Sequence, residues 1–229
     1  MEAAPQQHIV VAIDGPAASG KSSVARMLAR RLGFAYVNSG AMYRAVTWFV
    51  LQKGIDPCDT AAVLALISDL DMECGLRDGA SSLQIAGVDP APFLCDDEVN
   101  QNVSRVSSVP EVRSALVKRQ RAYANTYDVV MEGRDIGSVV FPDTPYKFYV
   151  DASPEVRARR RARQGQHDEI SARDRFDSTR RTSPLLVAED AEVIDSSNLT
   201  IDGVVGEIVG RLKLKGLRVD EACGKQMAE

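Results

Sequence analysis

Residues 15 to 22 read Gly-Pro-Ala-Ala-Ser-Gly-Lys-Ser, set between the apolar run 8–13 and a helical pattern that begins at Lys21. A strand, a glycine-bounded loop and a helix in immediate succession commit this stretch to an α/β unit with a parallel sheet. The spacing G-x-x-x-x-G-K-[ST] carries a definite chemistry. Its glycines let successive backbone N–H groups turn inward around phosphate oxygens, and the following helix presents its positive N-terminal end to the same anion. Gly15, Pro16, Ala17, Ala18, Ser19, Gly20, Lys21, Ser22 and Ser23 are therefore the expected cradle for a nucleoside triphosphate. Lys21 is placed to reach the β- and γ-phosphates, and the Ser22 hydroxyl to ligate Mg²⁺.

The rest of the chain extends the same architecture. Short apolar runs rich in β-branched residues at 9–13, 128–131, 147–150 and 193–195, with a weaker one at 35–37, read as strands. Helical patterns fall at 21–32, 41–52, 60–68, 110–127, 154–164 and 201–212. Pro110 and Pro154 suit first turns, Ser153 an N-cap and Gly33 a stop. Between residues 37 and 128 the chain is far longer than the dozen or so residues a crossover needs, so it holds an inserted subdomain, with strand-like pieces at 70–74 and 83–86. Residues 154–183 form a second excursion, polar and carrying nine arginines, as a cover over an anionic site would. The chain thus reads as one unit over 1–229: a core at 8–38, 126–153 and 184–215, an insert at 39–125, a lid at 154–183 and a tail at 216–229.

Composition narrows the class. A formal net charge of −4 argues against nucleic acid as the main ligand, so the arginines matter by where they cluster. Cys58, Cys74, Cys95 and Cys223 lack metal-type spacing and read as reduced thiols. The first residues have neither a basic start nor an apolar segment, and no run approaches a membrane span; a cytoplasmic protein is expected.

A phosphate loop by itself leaves the class open. The D-x-x-G and N-K-x-D elements of a GTPase are absent, as is the apolar strand ending in Asp-Glu of ABC and helicase-type ATPases, and no Asp-x-Asp follows the second strand as in a shikimate kinase. Present instead are Asn38-Ser-Gly-Ala-Met-Tyr-Arg44 after the second strand and Glu132-Gly-Arg-Asp-Ile-Gly137 after the third. Ligands of open α/β sheets bind at the carboxyl ends of strands, which puts both motifs beside the loop.

With these motifs, and with Val103-Ser-Arg-Val-Ser-Ser-Val-Pro-Glu-Val-Arg113, Gln120-Arg121, Arg173-Asp-Arg-Phe-Asp-Ser-Thr-Arg180 and Ser183-Pro-Leu185, the chain resembles the bacterial cytidylate kinases, which are nucleoside monophosphate kinases, from about residue 8 to residue 212. The resemblance implies a P-loop kinase fold with a five-stranded parallel sheet, a monophosphate-binding insert and an Arg-bearing lid. It implies transfer of a phosphoryl group from ATP to CMP or dCMP with Mg²⁺; a monomer without nucleic-acid or membrane partners is expected. By position, Ser104, Arg113 and Asp135 would read the cytosine, and Ser39, Arg44, Arg134 and Arg180 would cradle the monophosphate. Arg173 and Asp177 would contact the ribose. Arg157 would stack on adenine, while Arg160 and Arg161 would neutralise the migrating group; which of Arg159, Arg160 and Arg161 points inward depends on helical phase. Lys21, Arg134, Arg160, Arg161 and Arg180 are then the catalytic set. The remaining readings are another small-molecule kinase, for UMP or AMP, and a nucleotide switch without enzymatic activity. Two departures from the family pattern stand out: Asn38 where an acid is usual, and a short lid at 165–172.

Overall fold

The computed structural model describes residues 8–163, 174, 176–179 and 185–219. At its centre is β1 (Val10–Asp14), flanked by β5 (Val129–Gly133) and β6 (Tyr146–Asp151), both parallel to it. All five residues of β1 are buried, as expected of a strand covered on both faces. β2 (Ala35–Asn38) pairs with the outer side of β5, and β7 (Glu192–Asp195) with β6, completing five parallel strands.

Among the described residues, however, the sheet has seven strands, in the order β3 (Met72–Arg77), β4 (Ala80–Ile85), β2, β5, β1, β6, β7. The correction comes from the insert. Its strands β3 and β4 form an antiparallel hairpin turned by Asp78-Gly79, both in the left-handed region with φ of 52° and 73°. The hairpin docks on the edge of β2, where Tyr36 N–H donates to the Gly79 carbonyl at 2.9 Å. That contact gives β2 a neighbour on what would otherwise be an open edge.

α1 (Lys21–Leu32) lays Val24, Ala25, Leu28 and Ala29 on the sheet and stops at Gly33, where a left-handed residue lets Phe34 N–H reach back to Ala29. α7 (Ile201–Leu214) packs on the same face through Val204, Val205, Ile208 and Leu212. The insert has its own core, built by α2 (Ser39–Gln52), α3 (Thr60–Ser68), α4 (Asp97–Val106) and α5 (Pro110–Tyr123) around Met42, Val46, Val63, Ile85, Val103 and Leu116. α2 begins at Ser39 rather than at residue 41 because the Asn38 side chain caps it, accepting from Ala41 N–H at 2.9 Å. α5 ends at Tyr123, short of 127. α6 (Pro154–Arg163) opens the second excursion, of which residues 174 and 176–179 are also described. Arg173 and Arg180 lie outside the described residues.

Candidate functional site

The phosphate loop is shaped by what surrounds it. A Cβ on Gly15 would lie 2.1 Å from the Val150 carbonyl oxygen, so only glycine lets the chain turn there over the end of β6. Lys21 is buried, with its ammonium 3.0 Å from the Pro16 carbonyl across the loop. Ser22 is exposed at the start of α1, and its hydroxyl donates to Glu132 Oε1 at 2.9 Å. Glu132 comes from the end of β5 and was not singled out as a site residue by sequence.

Asp14, the last residue of β1, was likewise not assigned a role. Its buried carboxylate accepts from Ile136 N–H at 2.8 Å and Gly137 N–H at 2.7 Å, just past Arg134 and Asp135. Burial pushes its pKa up to about 7 in spite of those two bonds. The unfolded chain releases this proton near pH 4, whereas the folded protein holds it until about 7. The associated stability is therefore complete below pH 4 and is lost as pH rises through 7. Asp14→Asn has no such proton. Its stability, measured by urea unfolding between pH 4.5 and 7.5, is expected to gain on that of the unaltered protein with rising pH, by on the order of a few kcal/mol. Parallel curves would place the Asp14 titration in the ordinary carboxylate range.

Across the loop stands a second group of side chains from the insert and from the segment after β5. Arg113 from α5 and Asp135 form an ion pair with both side chains about 5% exposed or less. The guanidinium also donates to the Ser107 carbonyl at 3.2 Å and lies over the Tyr43 ring. Arg134 Nε donates to Asp177 Oδ2 at 3.1 Å. Ser39, at the start of α2, donates from its hydroxyl to the Glu132 carbonyl. Burial lowers the pKa of Arg44, Glu132 opposes that shift, and neighbouring Arg134 adds to it. Such a desolvated cation beside another cation is relieved by an incoming anion. Ser104 lies half-buried on α4.

α6 supplies the remaining arginines, and the structure resolves their phase. Arg160 and Arg161 face the cavity and Arg159 does not. Arg160 is held by the Ser19 carbonyl at 2.9 Å and by both the hydroxyl and the carbonyl of Ser196, so it braces the phosphate loop from behind. Arg157 donates to the Ala17 carbonyl at 3.3 Å and pairs with Asp174, whose other oxygen accepts from Ala17 N–H. It sits against the loop, outside the cavity lining.

These groups border one cavity of about 730 Å³. Residues 17–23 form one wall; Ser39, Arg44, Ser104, Arg113, Arg134, Asp135 and Asp177 face them. Lys21 and the arginines outnumber the carboxylates of Glu132, Asp135 and Asp177 there, giving a cationic cleft in an acidic protein. A basic wall of this kind suits phosphate-bearing ligands.

Comparison with known proteins identifies the family. The Cytidylate kinase family model matches residues 11–214. A cytidylate kinase of Corynebacterium efficiens is 45% identical over 217 residues, covering 90% of this chain and 94% of the relative. One from Pelotomaculum thermopropionicum is 44% identical over 215 residues, covering 88% and 95%. A gluconokinase structure from Sinorhizobium meliloti covers 91% of this chain and 93% of its own, at 16% identity and a TM-score of 0.45, too loose a likeness to bear on the site.

Proposed function

The chain belongs to the cytidylate kinase family, and from that premise we propose how its residues divide the transfer of the γ-phosphoryl group from ATP to CMP. The observation that carries the reading is the buried Arg113 and Asp135 pair, which opens on the same cavity as the phosphate loop. A carboxylate accepts from the exocyclic amine of cytosine and a guanidinium donates to its ring carbonyl, a pattern that uracil reverses at the first position.

The acceptor needs no catalytic base. A nucleoside monophosphate has a second pKa near 6, so its oxygen is already mostly anionic at neutral pH. What remains is to align two anions and spread the charge of a loose transition state. Arg44, Arg134 and Ser39 hold the acceptor phosphate, Lys21 and the loop N–H groups hold the donor, and Arg161 meets the group in transit. Arg160 contributes chiefly by fixing Ser19 and thereby the loop. Asp177, now bonded to Arg134, turns to the ribose when the phosphate takes its place.

Mg²⁺ fits the donor end, where the Ser22 hydroxyl and the Glu132 carboxylate offer hard oxygen atoms 2.9 Å apart. Bound with ATP, the ion would neutralise charge between the β- and γ-phosphates. Ser22 would ligate it directly, and Glu132 would hold Ser22 and the ion's water.

We take the working unit to be one chain, and we place it in the cytoplasm. Among the described residues no helix is long and apolar enough to cross a membrane. The proposed base contacts do not involve the 2′-hydroxyl, so Arg113 and Asp135 would read the base of dCMP as they read that of CMP. A coupled assay with CMP, dCMP, UMP and AMP tests the whole reading; strongest turnover with UMP or AMP would overturn it. Arg134→Ala is expected to raise the KM for CMP at least about tenfold and to lower kcat, with the KM for ATP little changed, because a bidentate guanidinium both holds and aligns a phosphate. Loss of ATP affinity with CMP affinity intact would reverse the donor and acceptor halves.

A further inference from the structure

The segment that carries the acceptor-side residues is a short, unusual turn. After β5 the chain passes Arg134 and Asp135 and enters a single π-helical turn at Ile136–Val140, in which Val140 N–H reaches the Asp135 carbonyl at 3.1 Å and Phe141 N–H the Ile136 carbonyl at 2.7 Å. Single π turns place a functional residue where an α-helix would not, and they need outside support because their first N–H groups have no partner within the turn. No capping bond comes from Asp135 itself, whose side chain is engaged with Arg113.

We propose that Asp14 is the positioning residue that supplies this missing cap from another strand and so sets where Asp135 and Arg134 stand relative to the phosphate loop. Its two carboxylate oxygens take the first two N–H groups of the turn, Ile136 at 2.8 Å and Gly137 at 2.7 Å. The next residue after Asp14 in the chain is Gly15, the first of the phosphate loop. One buried side chain therefore ties the start of the donor site to the start of the acceptor turn.

The packing leaves that tie little slack. A Cβ on Gly137 would lie 3.1 Å from the Lys147 stem and 3.4 Å from Asp14 Oδ2, so the turn is wedged between β1 and β6. Lys147 spends its ammonium on Asp190 rather than on Asp14. At the far end Arg121 donates to the carbonyls of Val139 and Val140, at 3.0 and 2.8 Å. The turn is thus pinned by a carboxylate where it begins and by a guanidinium where it ends. An in-line transfer tolerates little displacement of the acceptor, and a shift of about 1 Å can cost on the order of a hundredfold in rate. The desolvation borne by Asp14 is consistent with retention for position rather than for stability.

The inference rests on Asp135 being the base reader, and its test separates the two. Asp14→Asn keeps the shape of the side chain but sets an NH₂ group against one of the two N–H donors. It is expected to raise the KM for CMP about tenfold, lower kcat, narrow the CMP-to-UMP ratio of kcat/KM, and leave the KM for ATP within about twofold. Hydrogen exchange followed by mass spectrometry should show faster exchange over residues 134–140 with residues 16–23 unchanged. If Asp135→Ala alters the CMP-to-UMP ratio and a folded Asp14→Asn does not, the positioning role fails while the base reading stands. If Asp135→Ala leaves the ratio unchanged, the base reading fails first. Equal losses for ATP and CMP in Asp14→Asn would reduce Asp14 to general support of the fold and overturn the proposal. Should Asp14→Asn not fold, the unaltered protein decides: the amides of Ile136 and Gly137 must be strongly protected from exchange without nucleotide, and free exchange there refutes the clamp.

Discussion

Lys21→Met is expected to lower kcat at least about a hundredfold, which at 1.36 kcal/mol per decade is about 2.7 kcal/mol of lost transition-state stabilisation. The structure explains why methionine is the informative replacement. Lys21 is 6% exposed, so its stem is part of the packing under the loop, and an alanine there would open a gap as well as remove a charge. Methionine keeps most of the stem. The Pro16 carbonyl loses the bond it receives from the ammonium, at a cost to stability of roughly 1 kcal/mol, too little to unfold the domain. The kinetic effect is far larger, because charge on the migrating group develops where the ammonium is already held in place to meet it. Single-turnover measurements with saturating ATP and CMP, alongside circular dichroism of the variant, test this. A folded variant with near-normal turnover would remove Lys21 from the chemistry.

What the sequence made legible, and what it hid, follows from how far each feature depends on distant residues. The phosphate loop was readable because its chemistry is local: Gly15 to Ser22 are consecutive, and strand and helix flank them. The five parallel strands were readable for the same reason, each being a short continuous apolar run. The hairpin β3–β4 could be seen as two strand-like pieces, but its docking on β2 depends on a contact between Tyr36 and Gly79 that no local pattern announces. α4 was missed outright. Its polar stretch Asp97-Glu-Val-Asn-Gln-Asn interrupts any apolar run, although Val99, Val103 and Val106 fall on one buried face at helical spacing. Asp14 and Glu132 carry no local signal beyond a carboxylate at the end of an apolar run. Their roles appear only once Ile136 and Gly137 are brought across to the first and Ser22 to the second, contacts spanning more than a hundred residues. The resemblance implies that Arg113 and Asp135 both read the cytosine; that they pair with each other, desolvated and with Arg113 over an aromatic ring, is visible only in the structure.

That pair leads to the second large expectation: Asp135→Ala should lower kcat/KM for CMP at least about a hundredfold and for UMP far less, so that the two specificity constants converge. The asymmetry comes from what each base asks of a buried group. Cytosine donates from its amine to a carboxylate oxygen, and the bond is charge-assisted and shielded from water. Uracil presents a carbonyl at the same point. Two acceptors then face one another in a site where Asp135 is 3% exposed, and an unmet buried charge costs more than a contact that is simply absent. Alanine removes the bond that CMP makes and the repulsion that UMP suffers. It also leaves Arg113 without its carboxylate, so total activity falls with both substrates. Arg113→Met separates the two effects, since it removes the partner and keeps the acceptor: overall activity should drop while CMP stays favoured over UMP. Competition kinetics with both monophosphates in one reaction gives the ratio directly, free of errors in enzyme concentration. An unchanged ratio in Asp135→Ala would shift cytosine recognition to Ser104 and the backbone of α4, where the other side of the base would rest.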